Sequence, residues 1–249
     1  MTDFLLLAAL GFVAQLVDGA LGMAFGLIST SFMLAFGVSP AHASAVVHTA
    51  EVATTAVAGA SHLAHRNVDR SLFLRLAIAG VAGGVLGAYV LSNIEGKAIR
   101  PFIAAYLLVM GVLILMRAAR ALPIEDARPV FAPPLGLVGG FLDAIGGGGW
   151  GPLVTSTLIG SGQAPRTVIG SVSLAEFFIT MAIAGTFFTE LGTVYLPHVL
   201  ALGAGGVLAA PFAGLIVKRV RPRPLMVAVG LLVTALAVRD LVLVLAVSR

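Results

Sequence analysis

The chain has 249 residues, of which 59% are hydrophobic and only 10% are charged, and its formal net charge is +4. Because a soluble domain carries about 25% charged residues to cover its surface, this composition excludes an ordinary soluble protein and predicts a membrane protein that crosses the lipid bilayer several times. The basic residues lie in short breaks between apolar runs, so the positive charge does not predict nucleic acid as a partner. The absence of cysteine excludes disulfides, thiolate metal sites and cysteine nucleophiles.

An internal duplication becomes visible when the sequence is shifted by 125 positions. Residues 11–55 then lie over residues 136–180, and 13 of the 45 aligned pairs are identical. The most informative identical pairs are polar or conformationally special: Asp18 with Asp143, Pro40 with Pro165, and Glu51 with Glu176. We therefore predict two membrane repeats, residues 1–118 and 132–249, joined by a polar, proline-rich cytoplasmic linker at 119–131.

Each repeat is predicted to begin with two short apolar arms around a glycine-rich stretch. In the first repeat the arms are 4–17 and 27–36, and the second of these rises only about 15 Å as a helix. The second repeat has four consecutive glycines, each costing about 1 kcal/mol relative to alanine in a helix. Backbone of this kind survives at membrane depth only when it is buried in protein or lines a wet cavity. We therefore predict a re-entrant broken-helix hairpin at the start of each repeat.

Three membrane-spanning helices are predicted to follow each hairpin. Their expected positions, from the length of the apolar runs, are 40–64, 71–91, 99–116, 165–188, 198–217 and 224–238.

The distribution of basic residues predicts the orientation of these spans. The breaks at 66–70, 117–128 and 218–223 are rich in Lys and Arg and are expected in the cytoplasm. The breaks at 95–100 and 189–197, together with both termini, are expected outside. Since equivalent breaks of the two repeats fall on opposite sides, the prediction is an all-α integral membrane protein with two inverted-topology repeats, an architecture that recurs in secondary transporters.

Two glutamates and a histidine are expected near the centre of the bilayer. Glu51 is the twelfth residue of its span, Glu176 is its repeat mate, and His48 precedes Glu51 by three residues on the same helix face. An ionisable group at this depth costs at least about 2.5 kcal/mol and is a functional candidate by default. We predict that these three residues couple transport to protons. Their alternative role is packing, with the carboxyl groups and the imidazole satisfied by neighbouring polar groups.

The glycine-rich stretches are the predicted binding site for a small anion. Asp18 and Asp143 open them and are interpreted as helix caps or as part of the site. With no Lys or Arg in the predicted core, an anion is expected to be held by backbone N–H groups, hydroxyls and helix dipoles. The expected binding residues are Gly22, Gly26, Ser29, Thr30, Ser31, Gly146, Gly147, Gly148, Gly149, Trp150, Thr155 and Ser156. For the hydroxyl residues and Trp150, helix packing is the alternative. No catalytic residue, metal site or cofactor is predicted.

The duplicated motif resembles that of the sulfite exporter TauE/SafE family. It reads GFVAQLVDGALGMAFG at 11–26 and GLVGGFLDAIGGGGWG at 136–151. The resemblance implies a bacterial inner-membrane permease for small, often sulfur-containing anions such as sulfite, thiosulfate, sulfoacetate or other organosulfonates. This chain departs from the glycine-rich pattern at Leu21, Met23 and Ala24. We therefore expect the second repeat to dominate contact with the anion.

Other functional classes remain open from the sequence. Re-entrant hairpins also build channel pores, so an anion channel with a glycine-lined pore is the nearest alternative, although paired buried acids favour a proton-coupled carrier. An intramembrane hydrolase could use Ser29 or Ser31 with His48, but neither a nucleophile elbow nor an HExxH motif is present. A scaffold would not explain the broken helices. The expected partners are a small anion, protons and the lipid bilayer, and a homodimer stays open.

Overall fold

The computed structural model of the chain describes residues 2–21, 23–119, 131–217 and 222–247. These residues form helices and turns, without any strand among them, which confirms the all-helical prediction. The helices are α1 (Thr2–Leu21), α2 (Phe25–Ala35), α3 (Pro40–Ala64), α4 (Arg70–Asn93), α5 (Gly96–Ala119), α6 (Ala132–Gly146), α7 (Ser156–Gly160), α8 (Pro165–Leu191), α9 (Leu196–Val217) and α10 (Pro222–Val247), with a π-helical turn at Gly151–Thr155 before α7. Most of the predicted linker, residues 120–130, lies outside the described ranges.

Four helices within the described ranges are long and apolar enough to cross a membrane. They are Arg70–Asn93, Gly96–Ala119, Pro165–Leu191 and Arg223–Ala246, which contain the predicted spans at 71–91, 99–116, 165–188 and 224–238. Their outer faces carry exposed apolar side chains, among them Ile78, of which 71% is accessible. Since large exposed apolar surfaces are unfavourable in water, these faces fit contact with lipid.

The predicted spans at 40–64 and 198–217 are also helical, but they differ from these four. α3 has 25 residues and is less apolar, because it places Ser44, His48, Glu51 and Thr55 in the protein interior. The apolar part of α9 is shorter, Leu196–Ala209, among the residues that the structure describes. As expected for Glu51 and His48, α3 brings polar groups into the centre of the molecule.

The helices pack in pairs that join the two halves of the chain. α1 packs on α9, α4 on α6, α3 on α8 and α5 on α10. Glycine permits close approach in two of these pairs. A Cβ on Gly83 would lie 2.9 Å from the carbonyl carbon of Leu137, and one on Gly205 would lie 2.8 Å from that of Ala8. Small residues at such contacts allow helices in a membrane to pack closely without a hydrophobic driving force.

The central pair, α3 and α8, runs antiparallel. The hydroxyls of Thr55 and Thr180, equivalent positions of the duplication, lie 3.3 Å apart. Further along α3, a Cβ on Gly59 would lie 3.3 Å from Cα of Leu174. Beyond the end of α3, Asn67 Oδ1 accepts a hydrogen bond from Arg166 Nε, near the start of α8. Equivalent residues of the two halves therefore meet at the crossing point of these helices.

Both glycine-rich stretches interrupt helices, as predicted. The first break lies between α1, which ends at Leu21, and α2, which begins at Phe25; it is shorter than expected because α1 continues through Asp18. The second break separates α6 from the π-helical turn. There Gly147, Gly148 and Gly149 adopt φ angles of 69°, 135° and 133°, which residues with a Cβ rarely adopt.

An ion pair joins α5 to α10 and to the end of α2. Arg100 Nε lies 3.0 Å from both carboxylate oxygens of Asp240, and Arg100 Nη2 donates to the carbonyl of Leu34 at 2.8 Å. Asp240 is buried, with 4% of its surface accessible. A buried carboxylate of this kind requires its partner, because the charge left alone has no solvation.

We predict that Asp240→Asn or Arg100→Gln destabilises the protein by about 3 kcal/mol, the usual cost of breaking a buried pair. The measurement is thermal unfolding in detergent, where the melting temperature should fall by several degrees. Arg239→Gln is the matched control, since this exposed arginine bonds only the carbonyl of Ala35 among the described residues. An Asp240→Asn variant as stable as the Arg239→Gln control would contradict a structural role for the pair.

Candidate functional site

The two helix breaks meet in the interior of the protein. A Cβ on Gly148 would lie 2.6 Å from Cα of Gly26, so neither backbone has room for a side chain between them. Thr30 Oγ1 donates to the carbonyl oxygen of Gly147 at 2.5 Å. The Tyr106 hydroxyl donates to the carbonyl oxygen of Gly148 at 3.1 Å. The tip of the second repeat is therefore held by contacts with the first half of the chain.

Asp18 and Asp143 satisfy the backbone of the two breaks in equivalent ways. Asp18 Oδ1 accepts the N–H of Ala24 at 2.7 Å and that of Phe25 at 3.2 Å. Asp143 Oδ1 accepts the N–H of Trp150 at 2.9 Å. Trp150 is the counterpart of Phe25 in the duplication. Each aspartate thus bonds the N–H groups at the start of the next helical segment, which have no partner within that segment.

His48 contacts Asp143 of the second repeat. Its helical spacing had associated it with Glu51 instead. Its Nε2 lies 3.2 Å from Asp143 Oδ2 and its Nδ1 lies 2.9 Å from the carbonyl oxygen of Ser44. Because the Ser44 hydroxyl donates to Ala144 O, Nδ1 is the donor to Ser44 O. A proton on Nε2 or on Oδ2 then completes the contact with Asp143. Both oxygens of Asp143 are thereby engaged.

A cavity of about 240 Å³ lies beside the two tips. Both breaks contribute to its wall, together with polar residues of α1, α3 and α8. The lining residues are Gln15, Asp18, Met23, Phe25, Gly26, Leu27, Glu51, Thr54, Thr55, Ala58, His62, Asp143, Gly148, Gly149, Gly151, Pro152, Ile169, Ser173 and Glu176. From the tips the wall continues to half-buried His62, near the end of α3. The cavity therefore extends from the buried breaks toward the end of the protein where α3 ends and α8 begins.

Four carboxyl groups line this cavity, and they are close enough to interact electrostatically. Glu51, with 8% of its surface accessible, comes from α3, and a Cβ on Gly26 would lie 3.2 Å from its Oε1. Glu176 comes from α8, and Asp18 and Asp143 come from the two breaks. Two like charges at about 5 Å repel by about 3 kcal/mol at an effective dielectric constant of about 20. Ionisation of any one group therefore opposes ionisation of the others.

The structure places seven of the sequence-predicted site residues in the cavity wall. These are Asp18, Gly26, Glu51, Asp143, Gly148, Gly149 and Glu176. The others that it describes lie outside the wall: Ser29, Thr30, Ser31, His48, Gly146, Gly147, Trp150, Thr155 and Ser156. Gly22 lies outside the described residues.

The predicted residues outside the wall mostly pack or support the tips. Trp150 is fully buried, and its indole N–H donates to Val172 O at 3.2 Å. Gly146 packs against the ring of Tyr106. Ser29 and Ser31 are also buried, and their hydroxyls have no hydrogen-bond partner in the part of the chain that the structure describes.

Several polar residues of the wall were not predicted from the sequence. Gln15, Thr54, Thr55, His62 and Ser173 line the cavity. Gln15 stands one turn before Asp18, and its Oε1 is buried without a partner among the described residues. Ser173 is the counterpart of His48. Helical spacing from Asp18 would have indicated Gln15, whereas the other residues required knowledge of how α3 and α8 cross.

The arrangement can hold a small polar molecule, but its donor set does not form a metal site. Among the described residues no group of three or more His, Asp or Glu side chains has the geometry to hold a metal ion. The wall instead combines titratable carboxyl groups with hydroxyls, an amide and exposed glycine backbone.

Comparison with known proteins identifies the family of the chain. The family model for the sulfite exporter TauE/SafE matches residues 7–239. The chain is 40% identical over 254 aligned residues to the probable membrane transporter protein YtnM of Bacillus subtilis (strain 168), and the alignment covers 97% of this chain and 84% of that protein. Among solved structures no significant match was found. The chain therefore belongs to the sulfite exporter TauE/SafE family and is a membrane transport protein.

Proposed function

We propose that this protein is a secondary transporter that moves a small anion through the cavity together with a proton. The observation that carries the proposal is the composition of the cavity wall: among the described residues four carboxyl groups line it, and neither Lys nor Arg does. An anion beside two ionised glutamates would be repelled by several kcal/mol. Binding therefore requires that Glu51 and Glu176 be protonated, so the anion and the proton are bound together.

The size and the donors of the cavity support a small oxyanion as the substrate. A volume of about 240 Å³ is below that of pockets for drug-sized ligands, about 300–1,000 Å³. The hydroxyl of Ser173, the Gln15 amide and protonated glutamates can supply hydrogen bonds without a fixed positive charge. Together with the family name, this supports sulfite, thiosulfate, sulfoacetate or another organosulfonate, and a transporter rather than an enzyme.

The packing of the helices supports inverted repeats and alternating access. Inverted repeats require equivalent helices from the two halves to run antiparallel, as α3 and α8 do at Thr55 and Thr180. α5 and α10 do the same, since Arg100 meets Asp240 whereas Leu115 meets Gly230. Rocking of one repeat against the other about this central crossing would expose the cavity to each side in turn.

The basic turns support an inner-membrane location with the cavity facing the cytoplasm. Arg66, Arg70 and Arg166 lie at the end of the protein toward which the cavity extends, and excess Lys and Arg mark cytoplasmic loops. In this orientation both termini lie in the periplasm. The described conformation then corresponds to the inward-facing state.

The direct test is uptake of sulfite, thiosulfate and sulfoacetate into proteoliposomes. We expect at least one of the three to be taken up with saturation kinetics, and an inward proton gradient to accelerate its uptake. Empty liposomes are the control. A flux that rises linearly with concentration and ignores the proton gradient would indicate a channel, and the absence of binding and flux for all three anions would refute the proposal.

We predict that Glu51→Gln and Glu176→Gln fold normally but lose proton-driven uptake, because glutamine retains the shape and hydrogen bonding of a protonated glutamate and cannot titrate. Thiosulfate binding should then persist and lose its dependence on pH. The larger effect is expected for Glu51, which is the more buried of the two and lies against Gly26.

Glu190→Gln is the matched control for these variants, since this exposed residue only accepts a hydrogen bond from Asn93 among the described residues. Its pH dependence should equal that of the wild type. Glutamine variants at 51 and 176 that retain the wild-type pH dependence would assign both residues to packing.

The inverted topology predicts opposite labelling of two equivalent turns. Asn67, after α3, and Gly192, after α8, are 125 positions apart, and the chain has no cysteine to give background. A cysteine at Asn67 should react with an impermeant maleimide only from the cytoplasmic side, and one at Gly192 only from the periplasmic side. Labelling of both from one side would show that the repeats are parallel.

A further inference from the structure

One arginine reaches the cavity region from the last turn of α5. Arg117 is half-buried, and its Nη1 lies 3.2 Å from Met23 Sδ and donates to Ser156 Oγ at 3.0 Å. Met23 belongs to the first break and lines the cavity, whereas Ser156 begins α7 one turn after Pro152, which also lines it. The guanidinium group is therefore separated from the cavity by the Met23 side chain.

The partners of Arg117 leave most of its hydrogen-bonding capacity unused. A guanidinium has five N–H donors, and a thioether is a weak acceptor. The salt bridges among the described residues are His48–Asp143 and Arg100–Asp240, so Arg117 is paired with no carboxylate of that part of the chain. A half-buried positive charge whose partners among the described residues are all neutral can bind an anion without first breaking an ion pair within that part of the chain.

The position of Arg117 complements what the cavity wall lacks. Apart from His62, the described wall provides neutral donors and titratable acids, and it contains no Lys or Arg that would attract an anion from solution. Arg166 lies at the same end of the protein, but its guanidinium is engaged with Asn67 Oδ1 and His65 O. Arg117 instead touches a residue of the cavity wall itself. Its planar guanidinium group can donate two parallel hydrogen bonds to two oxygens of an oxyanion.

We propose that Arg117 selects anions at the first break, where its guanidinium binds an oxyanion beside Met23 before the anion passes to the neutral donors of the cavity wall. The inference rests on the proposed anion transport and adds the residue that gives it charge selectivity. Placing the fixed positive charge beside the cavity rather than in it lets the anion be captured and still released on the other side.

The test is the concentration dependence of thiosulfate uptake into proteoliposomes. We expect Arg117→Gln to raise the half-saturation concentration at least about tenfold, equivalent to about 1.4 kcal/mol. Arg117→Lys should raise it less, because the charge remains and only the fork is lost. Ionic strength should raise the half-saturation concentration of the wild type and have little effect on that of Arg117→Gln. Arg239→Gln, on α10, is the control and should behave as the wild type.

Three results would overturn the inference, and each has a different consequence. If wild-type uptake saturates and Arg117→Gln has an unchanged half-saturation concentration, Arg117 does not select the anion, and the proposed transport function stands. If both Arg117 variants lower the maximal rate and the melting temperature but leave the half-saturation concentration unchanged, the residue only stabilises the packing of the two breaks. If the wild type neither binds nor transports sulfite, thiosulfate or sulfoacetate, the inference and the proposed function both fail.

Discussion

The architecture of this protein depends on the need to satisfy backbone N–H groups where helices break inside a membrane. Hydrocarbon offers no hydrogen-bond partner, so a broken helix survives there only if the protein supplies one. Asp18 and Asp143 supply it, each by accepting N–H groups of the segment that follows its break. Because both breaks are stabilised in this way, their glycine backbones can meet at Gly26 and Gly148 and form one side of the cavity.

The caps also determine the electrostatics of the proposed transport site. Each capped break brings a carboxylate to the cavity, and α3 and α8 add one glutamate each. In the proposed mechanism this wall rejects anions unless protons accompany them, which would link the chemistry of the site to the proton gradient. The two halves are not equivalent in this respect. His48 engages the second oxygen of Asp143, whereas Ser173, its counterpart, lines the cavity.

The sequence predicted the features that follow from local chemistry. Long apolar runs predicted the helices, consecutive glycines predicted the second break, and the repeated Asp and Glu predicted residues that the structure places in the cavity wall. It was less informative where neighbours come from distant segments. His48 was associated with Glu51 by helical spacing, but the packing of α6 near α3 brings Asp143 closer to its ring. All four tip glycines were expected to contact an anion through their backbone; Gly148 and Gly149 line the cavity, whereas Gly147 packs on Thr30 outside its wall.

Arg117 illustrates the same limit. In the sequence it opens the basic stretch at 117–128 and indicates only the orientation of the chain. Its contact with Met23 depends on where α5 ends relative to the first break, and spacing along one helix carries no information about that. Ser29 and Ser31 show the opposite error. Their position beside a glycine-rich stretch predicted contact with the anion, but their buried side chains do not line the cavity.

The central claim is that an anion and a proton occupy the cavity together, and the pH inside proteoliposomes tests it most directly. Thiosulfate is a suitable probe because it is fully ionised near neutral pH and does not cross lipid as an uncharged acid. With a pH-sensitive dye enclosed in the vesicles, an inward thiosulfate gradient should acidify the lumen at a rate that saturates with thiosulfate concentration. Thiosulfate accumulation without any change in lumenal pH would contradict coupled transport.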